Sequence, residues 1–151
     1  MVQRLAPNRC PTMQSASLPL SSTVPTTHDL TTYSLERLEW MTSQERPFYL
    51  EIAPASPHVR PGGHPTVPLA RHKFHFPGIG APRTENWNPD DHFQRGKSTW
   101  IRDLPKMEPK IVDIVDRSYR ARLQGLQGVD EIVGDIVTML REKGVLDETY
   151  G

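Results

Sequence analysis

All 15 prolines of this chain lie between Pro7 and Pro109, and none follows. A proline inside a helix removes a hydrogen bond and clashes with the preceding turn; inside a sheet it removes a ladder bond. The first two-thirds must therefore be loop or short elements, and the stretch beyond Pro109 is free to form one long helix. Hydrophobic residues make up 36%, low for a chain meant to bury a large core by itself. Lys+Arg and Asp+Glu are 18 each, which argues against a strong electrostatic footprint for nucleic acid or an anionic membrane. No apolar run approaches the roughly twenty residues that span a bilayer. The single cysteine, Cys10, permits no internal disulfide. Pro7, Asn8, Arg9 and Pro11 interrupt the place where a secretory signal would need its apolar stretch. No signal peptide is expected, and the compartment stays open.

Residues 1–27 are rich in Ser, Thr and Pro without periodicity, and read as a disordered or unrelated leader. A partial domain is expected over 28–151. Leu30, Tyr33, Leu38 and Met41 fit one face of a short helix, with Thr31 or Thr32 placed to cap it. Phe48-Tyr-Leu-Glu-Ile-Ala53, bounded by Pro47 and Pro54, predicts a buried strand. From Pro54 to Pro109 turn chemistry dominates, with Trp87, Trp100 and Ile101 as candidate anchors to a neighbouring surface. Val112, Val115, Tyr119, Leu126, Val129, Val133, Ile136 and Leu140, widened by Leu123, Ile132 and Val137, predict a long amphipathic helix over Ile111–Lys143. Gly144 suits its C-terminal cap. Gly125, Gly128 and Gly134 each cost about 1 kcal/mol in a helix interior, which implies close approach by another element. The order of helix, strand, loop and helix belongs to an α/β layered domain. One strand cannot form a sheet, so the Val112–Val115–Ile136–Leu140 stripe is expected to be poorly covered by this chain alone.

Three segments carry a family resemblance. Arg46-Pro-Phe-Tyr-Leu-Glu-Ile-Ala-Pro-Ala-Ser-Pro-His58 is similar to the strand and following Pro-His loop of sulfatases. Ala81-Pro-Arg-Thr-Glu-Asn-Trp-Asn88 and Lys97-Ser-Thr-Trp-Ile-Arg-Asp-Leu-Pro105 resemble stretches of arylsulfatases and glucosamine-6-sulfatases. Tyr119 to Val133, leading to Leu146-Asp-Glu-Thr-Tyr150, resembles the helix before the second metal-binding strand of that family. The resemblance implies a partial α/β domain of the alkaline-phosphatase-like kind: one core strand, a long Pro-rich loop and a long amphipathic C-terminal helix. It implies a sulfuric ester hydrolase that works with calcium and formylglycine on an aryl sulfate or a sulfated sugar. Family members are commonly secreted or lysosomal.

The sequence departs from the family where the chemistry should sit. The nucleophile motif, C/S-x-P-S-R, is absent: Cys10 is followed directly by Pro11-Thr-Met13, and no arginine follows at the required place. Asp90-Asp91 follows Asn88-Pro89, outside the family's early Asp-Asp position, and reads as a solvated turn. The downstream metal motif would begin beyond Gly151. No calcium site of the oxygen-rich kind and no covalent step are therefore expected from these residues. His58, His64, His72, His75 and His92 lie in the central loop, but no cysteine accompanies them and no spacing matches a closed zinc site. They read as surface loop histidines. His58 stands apart, since it follows the C-terminal end of the expected strand, the edge where open α/β sheets bind ligands. By resemblance it contacts the substrate sulfate or protonates the leaving group; a solvent-facing histidine is the alternative. Asp130 with Glu131, and Arg120 with Arg122, read as the charged edge of the helix. Two functions remain open: a sulfatase segment inactive by itself, and a non-catalytic protein that associates with itself or a partner through the long helix.

Overall fold

The computed structural model describes residues 27–44 and 46–151; the leader and Cys10 lie outside them, except that Thr27 already opens the first helix. That helix, α1, spans Thr27–Thr42; two single turns, α2 (Asp91–Gln94) and α3 (Thr99–Arg102), precede the long helix α4 (Pro109–Glu142). Short 3-10 turns occur at Pro61–Gly63, Ala70–His72 and Leu146–Glu148. None of the helices among the described residues is long and apolar enough to cross a membrane.

α4 runs 34 residues, about 50 Å at ~1.5 Å per residue. Pro109 opens it, where the missing N–H costs nothing. Gly144 closes it as expected, at φ +68°. Its N–H reaches Arg141 O and the Val145 N–H reaches Leu140 O, both at 3.0 Å. That pair of bonds is the Schellman ending, which a glycine in the left-handed region adopts without strain.

The buried ridge of α4 runs through Gln124, Gly125, Gly128, Ile132, Ile136 and Leu140. Leu126 and Val133, placed on the stripe by periodicity, are exposed. The phase is rotated because two positions of the ridge are glycines, which contribute nothing to an apolar count yet sit closest to their neighbours. The expectation of an uncovered stripe also fails at its C-terminal half. Ile136 and Leu140 form the core with Leu38 and Ile132, and Val112 and Val115 are half-buried. Leu38 and Met41 on α1 are buried as their spacing predicts. Thr31 and Thr32 do not cap α1, because the helix begins a turn earlier and Thr31 Oγ1 bonds back to Thr27 O at 2.9 Å.

No strand is formed among the described residues, which corrects the expected strand at Phe48–Ala53. The segment nevertheless keeps strand geometry of exposure. Phe48, Leu50 and Ile52 pack against the core cluster, while Tyr49, Glu51 and Ala53 face out. Period-two alternation is what a strand lying on a helical layer shows. What is missing is the ladder: among the described residues no backbone–backbone hydrogen bond is made from Pro47 to Pro54. A strand is defined by a neighbour, and nothing here supplies one. The 151-residue chain is accordingly expected to unfold without a cooperative transition and to associate as its apolar surface meets water. Differential scanning calorimetry checks this; a sharp two-state transition of a monomer would contradict it.

The glycines of α4 divide cleanly. A Cβ on Gly125 would collide with Ser56 Oγ and lie 2.9 Å from Thr66 Cγ2, and one on Gly128 would lie 2.9 Å from Thr27 Cγ2. Close approach thus explains Gly125 and Gly128. It does not explain Gly134, which has nothing within 4 Å. Gly134→Ala should stabilise α4 by about 0.5–1 kcal/mol. Gly125→Ala should instead push the 56–66 loop off the helix. Amide hydrogen exchange separates the two: slower exchange in α4 for the first, faster exchange around Ser56 and Thr66 for the second.

Candidate functional site

The extended segment delivers His58 at its end. A turn closed by His58 N–H to Ala55 O at 2.9 Å sets the ring at the surface. His58 Nδ1 lies 2.8 Å from Val59 O. A carbonyl only accepts, so Nδ1 carries the hydrogen and Nε2 is left as the nitrogen that can bind or move a proton. The loop behind it is fastened at two points. Buried Ser56 meets Thr66 across Gly125, with Oγ–Oγ1 3.3 Å. Arg60 closes the 60–65 turn, its N–H to His64 O at 2.8 Å and its Nε to Pro65 O at 3.0 Å.

The proline-rich loop then tracks α4 back toward its N-terminus, one anchor per turn or two. Arg71 makes a paired, two-nitrogen contact with Glu131, and His72 Nε2 lies 2.9 Å from Glu131 Oε1. His75 Nδ1 meets Gln127 Oε1 at 2.7 Å, and Gln124 Nε2 donates to Lys73 O and His75 O at 2.9 and 2.8 Å. Arg120 Nε donates to Ile79 O at 3.1 Å. Asp116 accepts from Ala81 N–H at 2.9 Å and from Arg83 at 2.6 Å. Beyond α4, Asn88 and Met107 exchange two bonds, at 3.0 and 2.6 Å, so the Asn88 amide closes the 88–107 loop as a backbone unit would.

These contacts give the Ala81–Asn88 motif a structural meaning. Arg83 pairs with Asp116 and stacks 4.1 Å from the Trp87 ring, and Asn88 ties the next loop shut. Trp87 is half-buried and Ile101 partly so, but Trp100 is 76% exposed and anchors nothing here. His72 is 6% exposed, so it is not the surface histidine expected of it. Its nearest carboxylate, Glu131 on α4, lies far along the chain, which sequence spacing does not show. His72 and His75 rings meet edge-on at 5.3 Å, and His92 stands against Phe93. Among the described residues no three His, Cys, Asp or Glu side chains are placed to hold a metal.

Two carboxyls on α4 are held below the usual carboxylate range. For Asp116 the largest cause is the Arg83 hydrogen bond, then the Ala81 N–H. For Glu131 it is the Arg71 hydrogen bond, opposed by partial burial and aided by the charges of Arg71 and His72. A depressed acid stabilises the fold above its unfolded value of about 4.3 and loses that contribution as pH falls through the folded value. The hold of the 70–76 loop on α4 should therefore be strongest above that pH and weaken below it, while the Gln124 bonds remain. Glu131→Gln should weaken it at neutral pH too and flatten the dependence. Hydrogen exchange of the 70–76 amides against pH checks both; equal protection in the variant and the parent would contradict it.

No protein-family model and no solved structure matches the chain. Curated proteins do. A sulfatase of Metarhizium majus is 35% identical over 108 residues, covering 69% of this chain and 25% of that protein. An arylsulfatase of Volvox carteri is 34% identical over 119 residues, 70% of this chain and 18% of that protein. The chain belongs to the sulfatase family. An N-acetylglucosamine-6-sulfatase of Homo sapiens is 29% identical over 123 residues, 80% of this chain and 20% of that protein. This sulfatase chain thus spans about a fifth to a quarter of the length of the curated relatives it matches.

Sulfatases as a family imply calcium and formylglycine. The described residues do not fit either. Asp90 is 81% exposed and paired with Lys106, which holds its carboxyl low, and Asp91 opens α2 in solvent. A calcium site needs six to eight converging oxygens, and none is assembled here. No step is routed through a metal or a formylglycine by these residues.

Proposed function

We propose that this chain is the part of a sulfuric ester hydrolase that presents His58 and the α4 face, and that it does not turn over substrate by itself. The observation that carries the reading is the position of His58. It ends an extended, alternately buried segment whose sequence resembles the strand and Pro-His loop of sulfatases, with Nε2 as its available nitrogen. There it contacts the substrate sulfate or donates a proton to the leaving oxygen. Hydrolysis also needs a nucleophile and a centre for the developing negative charge. The C/S-x-P-S-R motif is absent from the sequence, and no metal cluster occurs among the described residues.

The substrate is an aryl sulfate or a sulfated sugar, since proteins named for each are among the relatives. Assaying 4-nitrophenyl sulfate beside glucosamine 6-sulfate, in a protein completed with the flanking sulfatase segments, separates the two. A completed protein that hydrolyses neither would contradict the reading. Association through α4 is the second reading, supported by exposed Leu126, Val133, Ile111 and Ile114. Burial of Ile132, Ile136 and Leu140 against α1 removes the ridge it would use first.

A further inference from the structure

The 48–53 segment is extended, flanked by Pro47 and Pro54, and packs on the helical core through Phe48, Leu50 and Ile52. None of its backbone N–H or C=O groups has a hydrogen-bond partner among the described residues. Successive residues of a strand aim these groups at opposite edges, so Phe48, Leu50 and Ile52 serve one edge and Tyr49, Glu51 and Ala53 the other. Every residue from 48 to 53 can donate, since the prolines stand outside. Such an unpaired row is a template for another strand. A two-stranded ribbon is marginal in water by itself, and packing against a helix supplies the support it lacks.

Register selects the occupant. When a strand pairs antiparallel with its own copy, residues directly opposite share a face of the ribbon. A slip by one residue sets Leu50 against the copy's Glu51, so the apolar face of one strand meets the polar face of the other. With Leu50 opposite Leu50, Phe48 stands against Ile52 and Tyr49 against Glu51. The Phe48, Leu50 and Ile52 edges then exchange on the order of six backbone bonds. With Glu51 opposite Glu51 the other edge makes as many, but like charges oppose and Phe48 falls against Pro54. Aromatic against β-branched and donor against carboxylate are the favourable cross-strand matches. Tyr49 already makes the second kind within its own chain, its hydroxyl donating to Glu51 Oε2 at 3.2 Å.

We propose that two copies of this chain pair antiparallel through 48–53, with Leu50 opposite Leu50. A second copy is the occupant because the segment complements itself in that register. Apolar side chains meet on the face that lies on the helices, tyrosine meets glutamate on the other, and no like charges oppose. The pairing surface is separate from α4 and does not depend on the role given to His58.

Disulfide trapping of the 151-residue chain, in a Cys10→Ser background, reads the register. Tyr49→Cys and Glu51→Cys replace exposed side chains, and the two proteins are oxidised separately and mixed. As a pair outside the ladder bonds, positions 49 and 51 of the two copies stand with Cα atoms about 4.5 Å apart, within disulfide reach. The mixture should therefore yield crosslinked dimer in about tenfold excess over either protein alone. Sedimentation equilibrium of the cysteine-free chain gives the second reading. Tyr49→Glu, which sets glutamate against glutamate, should weaken the dimer by about tenfold, and adding Glu51→Lys should restore it, with far-UV helicity retained. Crosslinking of Glu51→Cys with itself, equal yields from all samples, or a monomer at every concentration would overturn the proposal.

Discussion

In a protein that joins this chain to the nucleophile- and calcium-bearing segments of a sulfatase, His58→Ala should lower turnover by about 10²–10⁴-fold, the range a general acid supplies. The expectation follows from geometry and tautomer together. Val59 O holds the Nδ1 hydrogen, so Nε2 is the nitrogen that can carry a proton to a leaving oxygen or donate to a sulfate. The ring is exposed and packs on no core residue, so its removal should leave the fold intact. Loss of turnover with unchanged α4 helicity is the expected pair of results. The split between kcat and KM then assigns the role. A proton donor lowers kcat and kcat/KM together, whereas a residue that only binds sulfate raises KM. His58→Gln, which keeps a hydrogen-bond donor but not a titrating group, should restore binding and not the proton transfer. Turnover unaffected by either substitution would make His58 a loop histidine and nothing more.

What the sequence made legible was local. The existence of α4, its place after the last proline and its Gly144 end are written within a few residues of where they act, and all appear in place. The alternation of Phe48, Leu50 and Ile52 was equally local and is present. The same segment reads as a strand in the sequence, yet no ladder forms, because a ladder depends on neighbours that no window of sequence contains. The helix phase was misread for a different reason: Gly125 and Gly128 make the closest approaches and carry no apolar signal. His72 lies beside Glu131, and Asp116 anchors Arg83, across separations of tens of residues. Pairs of opposite charge are too numerous in a chain with 18 residues of each sign for composition to select the right ones. Of the candidate site, only His58 was singled out, and its role came from resemblance rather than from spacing. The anchors that hold the loop against α4 became visible only once the loop was seen to double back along the helix.

The second large effect concerns the chain by itself. Enzymatic acceleration of about 10⁶-fold or more asks for several contributions at once. A lone acid supplies about 10²–10⁴. Without an attacking group and a centre to hold developing charge, the remainder has no source among the described residues. Substitution of His58 in the isolated chain should accordingly change nothing measurable. The direct measurement is hydrolysis of 4-nitrophenyl sulfate with added calcium, by the 151-residue chain and by the same chain completed with flanking sulfatase segments. The account predicts no turnover above buffer from the first at any pH, and turnover that depends on His58 from the second. Hydrolysis by the 151-residue chain that survives repurification would contradict it and would direct attention first to Cys10.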